Sequence, residues 1–188
     1  MDLKSIAVKM AYLRSEGCYM RKRWFMSGLI GCFLTVFGAT TGVFATEEAP
    51  VVLTITLPQA ESGDTAVIAL SEQDLRAFPA ISFETSTIWT SGVQRFTGVP
   101  LLALLEHFKI EARELQMQAV NDYSITMPVD GITAGAPIIA YERNGKPMKL
   151  RDNGPLWLIY NYDANADYRT ETVYSRSIWQ LDRMAIIR

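Results

Sequence analysis

Cysteine and histidine are almost missing from this chain. Its 188 residues contain two cysteines, Cys18 and Cys32, and one histidine, His107. Both cysteines precede position 46, so the remainder has no disulfide, no thiol nucleophile and no thiolate metal ligand. A single histidine with no cysteine near it makes neither a zinc site nor a Ser-His-Asp triad. Basic charge is also scarce. Six of the 18 Lys and Arg and two of the 20 Asp and Glu lie before position 46, which leaves twelve against eighteen, a net charge of −6. That balance argues against a nucleic-acid partner, which requires a basic face. Internal repeats and low-complexity segments are absent, and no pair of carboxylates stands at a spacing that suggests acid–base catalysis.

What the N-terminal part does contain is an export pattern. Arg21, Lys22 and Arg23 form a positive segment, Trp24–Phe44 is an uncharged apolar run, and Val43-Phe44-Ala45 is a small-x-small cleavage site. Residues 1–45 therefore read as an N-terminal extension with a cleaved signal peptide, and residues 46–188 as one domain. Met20 is the better start than Met1, because Met1–Tyr19 has no clear apolar period. Two other readings of the run stay open. Its length also suits a transmembrane anchor, and Leu29-Ile30-Gly31-Cys32 resembles a lipoprotein box, although Phe33–Phe44 continues apolar where a polar tether belongs. The leading expectation is a periplasmic protein with no stable membrane insertion after cleavage.

Past position 46 the pattern is one of short strands. Val51–Leu57 and Thr65–Leu70 alternate as strands around a turn at Glu61–Asp64. Ser71 with Asp74 three residues on forms a capping box for a short helix that turns Leu75 and Phe78 inward before Pro79 stops it. Ile81–Ile88 is a strand with a polar far end, and Thr90-Ser91-Gly92 is a loop. Arg95–Phe108 reads as a strand end, a tight corner at Gly98 and a buried helix. Gly98 supplies the positive φ of a sharp corner, and Pro100 opens the first helical turn. Leu101, Leu104, Leu105 and Phe108 then fall on one stripe. Leu115–Val120 and Tyr123–Met127 form a hairpin about Asn121-Asp122. Pro137–Tyr141 leads into Asn144-Gly145, a type I′ turn signal. Leu156–Tyr160 is strongly apolar, Asn161–Glu171 is polar and reads as a long surface loop, and Trp179–Ile187 is a last strand. Many strands with two short helices predict an α+β domain with a largely mixed sheet.

Three stretches occur in a telling order: Phe96-Thr97-Gly98-Val99-Pro100-Leu101 before Leu104-Leu105; Asn121–Pro128; and Asn144–Met148 followed by Gly154–Tyr160. Together they resemble the molybdopterin-binding domain of the sulfite oxidase family, in a small stand-alone exported form, over roughly Val51 to Ile187. The resemblance implies the sulfite-oxidase-type α+β fold. It also implies a molybdenum centre held by a pyranopterin dithiolene and one protein Cys upstream of the Gly98 element. The matching window, Thr85–Gly92, contains no Cys; the lost ligand falls at or near Ser86. A hydroxyl is a harder ligand than a thiolate and loses its proton far less readily.

Two functions stay open on this reading. One is a non-redox binding module for a pterin-like or other small anionic ligand, serving a periplasmic sensor or redox partner. The other is a molybdopterin-dependent oxidoreductase with a non-thiolate metal site. The resemblance makes Ser86 and Tyr123 cofactor-binding candidates, and Arg95 and Arg169 are the cations for a phosphate or carboxylate. The ligand is expected in the cleft between Thr85–Gly92 and Tyr123. The polar loop bearing Tyr162, Tyr168 and Arg169 is a candidate cover for it. His107 lies beside the helical stripe, as a surface residue would, and Trp89 and Trp157 fit a core.

Overall fold

Alternating apolar residues assemble into one mixed sheet with few, short helices. The computed structural model describes residues 49–58 and 65–188. The export segment and its cleavage site, and the turn expected at Glu61–Asp64, lie outside the described residues. No helix among the described residues is long and apolar enough to cross a membrane.

Strand β1 (Val51–Pro58) pairs antiparallel with β2 (Thr65–Ser71). The capping box forms as the sequence predicts: the Asp74 N–H donates to Ser71 Oγ at 3.2 Å and the Ser71 N–H to Asp74 Oδ2 at 2.8 Å. These bonds satisfy amide groups that the first turn of α1 (Glu72–Arg76) leaves without helical partners. Leu75 and Phe78 are buried, as expected. β3 (Ile81–Ser86) and β4 (Val93–Pro100) form the next antiparallel pair, and α2 (Leu101–His107) follows directly. β5 (Glu114–Ala119) and β6 (Ser124–Pro128) make a hairpin. β7 (Ile138–Arg143) turns into β8 (Lys146–Pro147) through Asn144 and Gly145, both at positive φ (54° and 73°), as a type I′ turn requires. β9 (Leu156–Ile159), α3 (Glu171–Arg176) and β10 (Trp179–Ile187) complete the chain.

The main strand order is β2-β1-β10-β9-β7-β4-β3, with β5 and β6 added on β10 and β8 on β7. The β1–β10 pairing is parallel and the other described pairings are antiparallel, so the sheet is mixed. β7 and β9 are buried on both faces. Ile139 and Leu158 join one apolar cluster with Leu53, Ile55, Leu104 and Met184, whereas Ile138, Ala140, Trp157 and Ile159 join a second around Phe96 and Tyr162. A strand covered on both sides has no polar face, which is why Leu156–Tyr160 reads as an unbroken apolar run. The α2 stripe packs as expected. Leu101, Leu104 and Leu105 are buried, and Phe108, the residue after the helix, packs partly buried against the same cluster.

Three expectations are corrected. Gly98 is not at a corner. β4 continues through it, and its φ lies outside the left-handed region. Its requirement for glycine is one of space: a Cβ built there would overlap the Ile139 carbonyl and stand 2.5 Å from Ala140 Cα in the neighbouring β7. Pro100 accordingly caps α2 from an extended conformation (φ −55°, ψ 129°) instead of occupying its first turn. The third correction concerns the supposed surface loop at Asn161–Glu171. It holds a 3₁₀ turn, Ala166–Tyr168, and leads into α3, a third helix, while Tyr162 is 1% exposed. Thr170 Oγ1 caps α3 by accepting the Val173 N–H at 3.3 Å, but a six-residue helix is too short to show an apolar period.

Candidate functional site

A pocket of about 500 Å³ opens where three connections meet. The β3–β4 loop contributes Ile88 and Trp89. The β5–β6 hairpin contributes Ala119, Asn121 and Tyr123, and the segment from α3 into β10 contributes Tyr174, Ser175, Ser177, Ile178 and Trp179. The pocket thus lies between the β3–β4 connection and Tyr123, where the sequence places a ligand cleft. Its walls are aromatic. Trp89 meets Tyr174 at 5.8 Å between ring centroids and Trp179 at 5.6 Å, both edge to face. Behind Trp89 stand Trp157 at 5.9 Å and Tyr162 at 6.4 Å, both buried. Trp157 is therefore core, as expected, and Trp89 joins that core to the pocket surface.

Hydrogen bonds fix this aromatic wall from behind. The Tyr162 hydroxyl donates to Ser177 Oγ, which donates in turn to the Val173 carbonyl at 2.9 Å. Trp157 Nε1 donates to the Ser177 carbonyl at 3.2 Å. Ser177 thereby ties α3 to two buried rings. Burial disfavours phenolate: it pushes the Tyr160 hydroxyl up to about 12 and raises the Tyr162 hydroxyl too.

Ser86 lies at the end of β3, two residues before Ile88, and is held by a carboxylate. Its N–H donates to Asp163 Oδ2 at 2.6 Å and its Oγ donates to Asp163 Oδ1 at 2.8 Å. Thr85, fully buried, accepts the Asp163 N–H on Oγ1 at 3.2 Å. These donors stabilise the ionised carboxylate, and the Asp163 carboxyl is held below its ordinary value, first by the Ser86 N–H and hydroxyl and then by the charge of Arg169.

The four candidate residues separate on this geometry. Ser86 is hydrogen-bonded to Asp163, which also feels the charge of Arg169, while Tyr123 lines the pocket at 55% exposure. Arg95 joins neither group. It is an exposed β4 residue opposite Glu84, and its N–H donates to Asn144 Oδ1 at 2.9 Å. Asp122, beside Tyr123, is engaged with Arg183 at 3.0 Å. His107 is an exposed helix-end residue whose ring lies 4.9 Å from those of Phe78 and Phe108. Tyr162 belongs to the core, and Tyr168 packs on Tyr160 at 5.4 Å. Sequence reasoning missed Asp163, Tyr174 and Trp179. Asp163 sits 77 residues from its partner in a stretch without periodicity, so no local signal marks it. Trp179, at the start of an apolar strand, carries no local signal that separates a pocket wall from core, although pocket linings are rich in aromatic side chains.

The donor set tests whether the implied metal centre fits. Residues 46–188 contain no cysteine, and among the described residues no three His, Cys, Asp or Glu side chains gather as a metal cluster. Of the hydroxyls at or next to the expected ligand position, Ser86 Oγ donates to a carboxylate, Thr85 Oγ1 donates to the Ser86 carbonyl and accepts the Asp163 N–H, and Thr87 Oγ1 shares a hydrogen bond with Thr90 Oγ1. These residues do not fit a thiolate-held molybdenum centre. Nor do Lys or Arg side chains line the pocket to meet a phosphate.

The chain was compared with known families and proteins. No curated protein matches it. The family described as "Oxidoreductase molybdopterin binding domain" matches residues 64–162, more than half of the chain. That segment runs from the start of β2 through β9 to Tyr162, and so includes Ser86, Trp89 and Tyr123 but ends just before Asp163. With the matched segment carrying the central strands and two of the three pocket walls, this chain belongs to the oxidoreductase molybdopterin binding domain family.

Proposed function

We propose that this family member is a non-redox binding module, with the sulfite-oxidase-type α+β fold, that takes a small pterin-like ligand in the pocket between Trp89 and Tyr123. The observation that carries this reading is the Ser86–Asp163 tie. A hydroxyl that ligates a metal must give up or share its proton, and here that proton is held by a carboxylate 2.8 Å away while a second oxygen of the same carboxylate takes the backbone N–H. Admitting a metal at Ser86 would take from Asp163 Oδ1 its hydroxyl donor, leaving the carboxylate only the Ser86 N–H on Oδ2, or would require it to move. Arg169, whose charge acts on Asp163, is the cation we assign to an anionic part of the ligand outside the pocket, and Arg95 has no part in this proposal.

The same reading includes export and a partner. The tripartite segment ending at Ala45 supports cleavage before Thr46 and a periplasmic location, where a sensor or redox protein is the proposed partner. N-terminal sequencing is expected to give Thr46; Met1 or an acylated Cys32 would contradict export by cleavage at Ala45.

Elemental analysis of the natively produced protein, paired with a sulfite-dependent electron-acceptor assay, tests the function. The expected result is far less than one molybdenum per chain and no turnover. Stoichiometric molybdenum with turnover would replace this proposal with the oxidoreductase that uses a non-thiolate site.

A further inference from the structure

We propose that the pocket selects an uncharged, planar aromatic ring, so that a charge borne directly on that ring weakens binding and any charged part of the ligand stands clear of it in solvent. This rests on the binding-module reading and narrows it to a chemical class. The lining residues include no Lys, Arg, His, Asp or Glu. An ion brought among them would lose water without gaining a counter-charge, a penalty that an uncharged ring does not carry. The polar lining groups are largely committed to the protein. Ser177 Oγ serves Tyr162 and Val173, Ser175 Oγ donates to the Thr172 carbonyl at 2.8 Å, and Asn121 Oδ1 accepts the Tyr123 N–H at 3.2 Å. The Asn121 amide N–H groups and the tyrosine hydroxyls are left to orient a ring edge.

Shape points the same way. Trp89 stands at 89° to Tyr174 and 71° to Trp179, so the wall rings do not lie parallel and an aromatic ligand finds ring planes in more than one orientation to stack on or meet edge to face. A volume of about 500 Å³ holds a one- or two-ring system with room to spare. The mouth is apolar too: Ile88 is 65% exposed and Tyr123 55%, and both are pocket walls.

Titration calorimetry of the purified protein with a matched pair of probes tests this. 2-Naphthol is uncharged at pH 7 and 2-naphthoate is an anion with the same ring. 2-Naphthol is expected to bind at least about tenfold more tightly, the ratio that a modest uncompensated charge penalty produces. Tyr123→Ala, at an exposed position, should weaken 2-naphthol about two- to tenfold through the lost ring contact. Ile88→Lys should raise affinity for 2-naphthoate and leave 2-naphthol unchanged or weaker. Equal or tighter binding of 2-naphthoate by the unaltered protein, no binding of either probe, tighter binding of tetramethylammonium than of 2-naphthol, or Tyr123→Ala leaving 2-naphthol binding unchanged would each overturn the inference. Its failure is separable from that of the function. Molybdenum with turnover, alongside preference for 2-naphthol, refutes only the non-redox reading; a molybdenum-free protein that prefers 2-naphthoate refutes only the ring selectivity.

Discussion

The β4–β7–β9 centre of the sheet and the pocket at its end are built in different ways. In the centre, apolar residues on both faces of β7 and β9 leave little freedom: Ile138, Ile139, Ala140, Leu156, Trp157, Leu158 and Ile159 are all at most 1% exposed. Backbones approach closely enough at Gly98 that no side chain fits. The pocket instead joins three connections through aromatic edges backed by the side-chain hydrogen bonds of Ser177, and next to its β3–β4 wall Thr85 and Ser86 bond to Asp163, more than seventy positions away. Burial organises the first region, and specific polar ties organise the second. A family scaffold can therefore keep its centre while the chemistry at its end changes.

The comparison breaks first at Gly98. Gly98→Ala should destabilise the protein by at least about 3 kcal/mol in urea unfolding, because the added Cβ meets β7 backbone that cannot rotate aside. A change of less than about 1 kcal/mol would mean that the sheet centre yields as easily as a loop. Next, Leu104→Ala or Leu105→Ala should cost about 2–5 kcal/mol, and Glu106→Ala on the exposed side of the same helix about 0.5 kcal/mol or less. Equal effects would remove the burial argument for α2.

At the pocket the expected effects are smaller. Tyr162→Phe should cost about 1–2 kcal/mol, since Ser177 Oγ loses a buried donor while its own bond to Val173 remains. The two buried tyrosines also set an alkaline edge. Their hydroxyls ionise near 10 in the unfolded chain, while Tyr160 is pushed up to about 12 in the folded one, so their contribution is full below about pH 10 and is lost as pH rises toward about 12. Tyr162→Phe should flatten that loss in a pH series of unfolding midpoints.

The smallest effect is expected at Asp163, which is exposed. Its carboxyl is held below its ordinary 3.8, so its contribution is present above that value and is lost as pH falls through the lower folded value. Asp163→Asn should lower the melting temperature slightly at pH 7 and remove part of the acid-side loss. An acid-side profile unchanged by this substitution would show that the tie to Ser86 contributes no stability.

The sequence by itself determined the strands, the α1 capping box, the α2 stripe and the type I′ turn at Asn144-Gly145, because each depends on residues close along the chain. Period-two alternation, a Ser and an Asp three apart, and an Asn-Gly pair carry their own geometry. It also determined the missing thiolate, which is a matter of counting, and the order of motifs that places the chain in its family. Only the tertiary structure decided why position 98 is glycine, since the atom that excludes a side chain belongs to Ile139, far along the chain. Tertiary structure likewise decided that Ser86 faces Asp163, that Tyr162 leaves a polar stretch to enter the core, and that Trp89, Tyr123, Tyr174 and Trp179 share one pocket while Arg95 stands apart from it. Such juxtapositions depend on how strands distant in sequence are laid side by side, and local residue patterns hold no record of that.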